Sequence, residues 1–199
     1  MSRFYFAVSM AAIFVLLIFF QISCSGNEEP KKLTHEEMVA RGEYLVTFGG
    51  CNDCHTPKIY TEMGPIPDTT KLLAGYYEGT MLPKADMNMI TQNGWAITES
   101  NFTAWVGPWG ISYAANLTPD NATGIGTLSE EMFIKTLREG KWMGVGRPLM
   151  PPMPWPGMSK ATDEDLKCIY AYLMSIKPIR NPVPQPTPPD KATEMLAKK

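Results

Sequence analysis

Two cysteines of this 199-residue chain stand three positions apart, with a histidine directly behind them. The stretch reads Gly49-Gly50-Cys51-Asn52-Asp53-Cys54-His55-Thr56-Pro57-Lys58. The chain has only two histidines, so the placement of His55 calls for a reason. Two thiols and an imidazole on one short turn can hold a metal, form a redox pair or carry a cofactor. Each option makes its own demand on the remaining sequence.

A structural zinc site takes four ligands, usually with a second Cys/His pair. There is no second Cys-x-x-Cys, and His35 is the only other histidine. A thioredoxin-like pair expects a strand ahead of it inside a βαβ pattern, whereas a capped helix precedes Cys51. A disulfide between Cys51 and Cys54 would close a very tight ring. Cys168 sits in an apolar helical pattern and reads as a buried thiol. The attachment pattern of c-type haem, Cys-x-x-Cys-His, suits the segment best. Two thiols on one turn reach the two vinyl groups at one edge of a porphyrin. The histidine behind them then lies under the iron with a nitrogen to donate. The motif occurs once, so one covalent haem c is expected on Cys51 and Cys54, with His55 bound to the iron.

The surrounding pattern is mainly α-helical. Thr34 with Glu37 three residues on forms a capping-box signature. Met38, Gly42 and Leu45 follow on one face, and Gly49-Gly50 ends the helix. A second helix spans about Ser129 to Glu139, with Phe133 and Leu137 as an apolar pair and Gly140 as terminator. A third starts at Thr162, carries Leu166, Ile169, Tyr170 and Leu173 at helical spacing, and closes at Pro178. Between Pro57 and Gly126 the periodicity is poor. So long a stretch without regular structure is unusual in a compact domain. It is expected to wrap a large apolar ligand that stands in for missing core. The tail from residue 179 to 199 is proline-dense and is expected to be an extended surface strap.

The first residues have an export pattern. One positive charge, Arg3, precedes an apolar run from Phe4 to Phe20, as in a signal peptide. Ser23-Cys24 after that run resembles the lipobox of bacterial lipoproteins, although Gln21 departs from the usual aliphatic residue. The expected organisation is a signal peptide over 1–23, a lipid-anchored tether over 24–33, the haem domain over 34–178 and the tail. The alternative is an uncleaved anchor helix. Either way the domain sits on the periplasmic side of a bacterial membrane, so the Asn-x-Thr triplets at 101, 116 and 121 are discounted as glycosylation sites. Loss of residues 1–23 leaves 17 basic against 20 acidic residues, a net charge of −3. With no basic stripe, nucleic acid is not a partner.

The sixth iron ligand is less local. His35 stands at the start of the first helix and reads as solvent-facing. Methionine is a common axial ligand in electron-transfer cytochromes and raises the potential. Most of the fourteen methionines read as packing, including Met81, Met87 and Met89. The loop Gly146 to Met158 differs, because its five prolines stiffen the backbone. Met150, Met153 and Met158 all qualify.

The chain resembles a class I cytochrome c of the bacterial exported type. The segments that carry the resemblance are Cys51 to Pro57, Gly107 to Gly110, Asn116 to Asp120, Thr123 to Gly126, Met150 to Trp155 and Asp163 to Pro178. It implies a class I cytochrome c fold and iron ligation by Met153. First and last helices would cross near each other, with Gly42 allowing approach to the face of Tyr170 and Leu173. Trp109 and Tyr113 would pack at the haem, and Arg147 and Trp142 would meet its propionates. The function expected is one-electron transfer between redox partners: a dehydrogenase, a quinol-oxidising complex or a terminal oxidase. A fixed haem subunit of a larger oxidoreductase complex is the first alternative. A haem enzyme with an openable distal side is the second.

Overall fold

A computed structural model describes residues 32–197. The signal peptide over 1–23, Cys24 and all but the last two residues of the tether lie outside the described residues. Among the described residues, no helix is long and apolar enough to cross a membrane.

The first helix, α1, runs His35–Phe48 behind the capping box: the Thr34 side chain accepts from the Glu37 amide, and the Glu37 carboxylate accepts from the Thr34 amide. Its packed side is Val39, Gly42 and Val46, while His35 is exposed. The helix α6, Asp163–Ser175, is capped by the Thr162 hydroxyl on the Asp165 amide and buries Leu166, Ile169 and Leu173. The packing of α1 on α6 is the most extensive between any two elements. It is close because position 42 is glycine: a Cβ there would lie 1.9 Å from the Cys168 carbonyl oxygen and 2.7 Å from the Tyr172 Cβ. The face that meets Gly42 is therefore that of Cys168 and Tyr172. Tyr170, expected there, turns away, tilts against the ring of Phe133 and donates its hydroxyl to the Leu128 carbonyl. At the outer end of the pair, Arg41 binds Asp165 at 2.6 Å.

The helix α4, Glu130–Glu139, has Ser129 as its cap and Gly140 as a left-handed terminator, and sets Phe133 and Leu137 into the same core. The helix α2, Cys51–His55, is a single turn that follows Gly50 in the left-handed conformation, φ 69°. Glycine enters that region at no steric cost, which lets the chain reverse directly from α1 into α2. Among the described residues the remaining α-helices are α3, Met87–Asn93, α5, Trp155–Met158, and α7, Pro189–Ala197.

The middle of the chain is more regular than its sequence suggests. A hairpin of β1, Lys58–Thr61, and β2, Gly64–Pro67, pairs Ile59 with Ile66. A second antiparallel sheet contains β3, Ile97–Thr98, β4, Ala104–Gly107, and β5, Gly110–Tyr113, in that order. This sheet backs a second small core of Met87, Ile90, Val106, Ile111, Ala192 and Leu196. Met87 thus packs as expected, whereas Met81 and Met89 are exposed.

The tail is extended only in part. Its strap is anchored by Asn181, 1 % exposed, whose amide group donates to the carbonyls of Ala74 and Tyr76 and accepts from the Glu78 amide. Thr187 then exchanges two backbone hydrogen bonds with Ile111. From Pro189 the chain turns into α7, which buries Ala192 and Leu196. Proline at a first helical position is compatible with helix, because the amide it lacks has no intrahelical partner there.

Candidate haem site

The helix α2 puts Cys51 and Cys54 at i and i+3 and His55 at i+4, so all three face one way. They line a single cavity. The turn is locked from behind by Thr56, which is fully buried: its hydroxyl donates to the Asn52 side chain and accepts from the Leu73 amide. The His55 carbonyl accepts from the Gly75 amide at 2.7 Å. At the end of the turn the Lys58 ammonium donates to the carbonyls of Asn52 and Asp53, each at 3.0 Å, and to that of Thr56.

The His55 ring is oriented by a backbone group. Its Nδ1 lies 2.8 Å from the Ala115 carbonyl oxygen, which can only accept. Nδ1 therefore carries the proton, and Nε2 keeps its lone pair. No described residue bonds Nε2. Burial pushes the imidazole pKa below its ordinary value, so the ring is neutral at neutral pH. Burial also raises both thiols, Cys51 to about 11, and keeps them as S–H. Both cysteines are free of disulfide.

A second part of the lining comes from the proline-rich loop. Met150, Met153 and Met158 all line the cavity. The loop is held in three places: Leu149 N–H donates to the Gly140 carbonyl at 2.8 Å, Trp142 N–H to that of Arg147 at 2.9 Å, and the Ser112 hydroxyl to that of Pro151. Phe133 and Leu137 of α4 and Ile169 and Leu173 of α6 close the floor. The space between these walls, counted together with the solvent at its open mouth, is about 1270 Å³.

Of the aromatic residues expected here, Tyr113 and Trp142 line the cavity and Trp109 does not. The Trp109 ring covers Gly107 of its own hairpin, and its Nε1 donates to Ser112. Trp105, not anticipated, takes a place beside Cys54. The one charged side chain in the lining is Arg147. Its Nε donates to Gln185 and its Nη1 to the Pro148 carbonyl, each beyond 3.1 Å, and burial lowers its pKa. His35 lies outside the site.

Two neutral thiols, a neutral imidazole with a free nitrogen, and thioethers across a large apolar cavity form a donor set that fits haem c. Comparison with known proteins agrees. No protein-family model matches the chain. It is 29 % identical over 180 residues to the fructose dehydrogenase cytochrome subunit of Gluconobacter japonicus, covering 90 % of this chain and 29 % of that protein. It is 32 % identical over 140 residues to the gluconate 2-dehydrogenase cytochrome c subunit of Pantoea cypripedii, covering 70 % and 23 %. It is 40 % identical over 150 residues to the cytochrome c subunit of a quinone-dependent alcohol dehydrogenase of Komagataeibacter europaeus, covering 75 % and 24 %. The chain thus spans less than a third of each of these relatives. The similarity supports a c-type cytochrome, and the mainly helical architecture is consistent with a cytochrome c fold.

Proposed function

We propose that the chain is a mono-haem cytochrome c of class I type, tethered to the periplasmic side of a bacterial membrane, that passes single electrons to or from a dehydrogenase. The observation that carries this is the convergence of Cys51, Cys54 and His55 with the methionines of the proline-rich loop on one apolar cavity. Haem c, when bound, supplies one-electron exchange. Cys51 and Cys54 hold it covalently at one edge, and His55 gives Nε2 to the iron with its ring fixed by Ala115.

Met153 is the proposed sixth ligand. It lines the same cavity as α2, and its amide donates to the Met150 carbonyl at 3.2 Å, so the backbone beneath it is pinned. A short, stiff loop lets a weak thioether bond with little loss of freedom. Ligation by both His55 and Met153 would leave substrate no ready access to the iron, which favours transfer over catalysis. Arg147 and Trp142 line the same cavity and would offer N–H donors to the propionates.

The relatives are named as cytochrome subunits of dehydrogenases. That favours a haem subunit working beside a catalytic subunit over a freely diffusing carrier, with a quinol-oxidising complex or terminal oxidase as the further partner. The anchor is the proposed lipid on Cys24 or an uncleaved apolar segment, Phe4 to Phe20; both leave the cytochrome domain to begin at residue 34.

Production of the full chain in a bacterium able to attach haem tests the reading. The expected product is red, carries one haem mass that survives denaturation, and partitions with membranes. Rapid carbon monoxide binding by native protein would favour the haem-enzyme alternative. A colourless product of bare-protein mass would reject the reading.

A further inference from the structure

We propose that Lys58 is a positioning and charge-tuning residue that holds the Cys51–His55 turn in register and raises the reduction potential of the haem it carries. This rests on the haem reading above. The lysine lies outside the cavity lining and stands behind the motif. Its ammonium is half-buried and gathers the carbonyl oxygens of Asn52, Asp53 and Thr56. Those are the C-terminal carbonyls of α2, the negative end of that turn. Its own amide donates to the Asn101 side chain at 3.2 Å, which ties the lysine backbone to the segment before β4. The side chain is thus fixed from both ends.

Burial lowers the Lys58 pKa, while Asp53, Cys54 and Glu99 act to raise it. The Glu99 carboxylate is buried and already satisfied by the amides of Asn101, Thr103 and Ala104 and the Thr103 hydroxyl. The neighbourhood of the motif thus contains two carboxylates, Asp53 and Glu99, that act electrostatically on Lys58.

Uptake of one electron lowers the charge of the site by one without a bond being made or broken. A fixed cation nearby favours that more negative state, and in a poorly solvated setting its effect is only weakly screened. Removal of the cation leaves Asp53 and Glu99 uncompensated, which favours the oxidised state.

The test compares Lys58→Gln, Lys58→Met and Lys58→Arg in the full-length holoprotein. Gln keeps a donor for the carbonyls without charge, Met keeps bulk alone, and Arg keeps the charge. Potentiometric titration is expected to show both neutral variants displaced toward the oxidised form by about tenfold in the exchange equilibrium, ~59 mV for one electron. Their axial-ligand absorption should be unchanged, and Arg should stay near the wild type. Unchanged potentials in Gln and Met would overturn the proposal. Failure of both to form holoprotein while Arg succeeds would restrict Lys58 to holding the turn and overturn its assignment to the potential. A wild type without covalent haem would instead reject the haem reading itself.

Discussion

The imidazole of His55 is held 2.8 Å from the carbonyl oxygen of Ala115, a partner 60 residues further along the chain. A main-chain acceptor fixes the tautomer and aims Nε2 into the cavity, the arrangement that metal-bound imidazoles use. His55→Ala removes the nitrogen and leaves the thiols in place. The expected product carries haem without a low-spin spectrum, read by absorption of the ferric and ferrous forms.

Met153→Ala distinguishes among the three thioethers. The expected result is loss of the red-region charge-transfer band of methionine-ligated ferric haem and a large fall in potential. Met150→Ala and Met158→Ala are expected to keep the band. The reverse pattern would move the ligand to the other methionine.

Gly42→Ala tests the crossing of α1 and α6. The added methyl would meet the Cys168 carbonyl at 1.9 Å, backbone against backbone, with no flexible end to yield. The helices must part, at a cost of about 1–3 kcal/mol or more. The urea unfolding midpoint should fall, and expansion of the haem cavity should follow, because Ile169 and Leu173 lie on the same α6.

Asn181→Ala removes the clamp between strap and core. Two carbonyls, of Ala74 and Tyr76, and the Glu78 amide would lose their partner in a buried place. Each buried orphan costs ~1–3 kcal/mol, so the thermal midpoint should drop while the haem spectrum persists. Hydrogen exchange should rise first at Thr187 and Ile111.

Leu196→Ala probes the second core. Leu196 is 3 % exposed among Met87, Ile90 and Ile111 and does not line the haem cavity. A loss of about 2–5 kcal/mol is expected in denaturant unfolding, with the reduction potential unmoved. A shifted potential would mean that the two cores are coupled.

What the sequence disclosed follows from how local each signal is. Thr34, Ser129 and Thr162 mark their helix starts because a capping hydroxyl bonds an amide two or three residues away. The thiols and imidazole of α2 are legible for the same reason. The strands are not, because each has two to four residues. In β1 and β2 nearly every side chain is exposed, so no inward alternation is written. Prolines 65 and 67 argued against a strand there. The role of Ala115 is invisible in principle, since the group that matters is a carbonyl every residue has. The tail misled through its prolines: Ala192 and Leu196, four apart, were its helical signal. Gly42 was legible as a close-approach site, but its exact neighbour depended on the rotation of α6.

The meeting of Gly42 with Cys168 joins positions 126 residues apart, and Val46 and Leu173 share their core across a similar span. A chain delivered from its amino end therefore presents the Cys51–His55 turn long before α6 exists to roof it. Until Asp163–Ser175 arrives, Ile169 and Leu173 are missing from the lining and the two thiols face an unfinished pocket. Docking of α6 on α1 is the step that completes it.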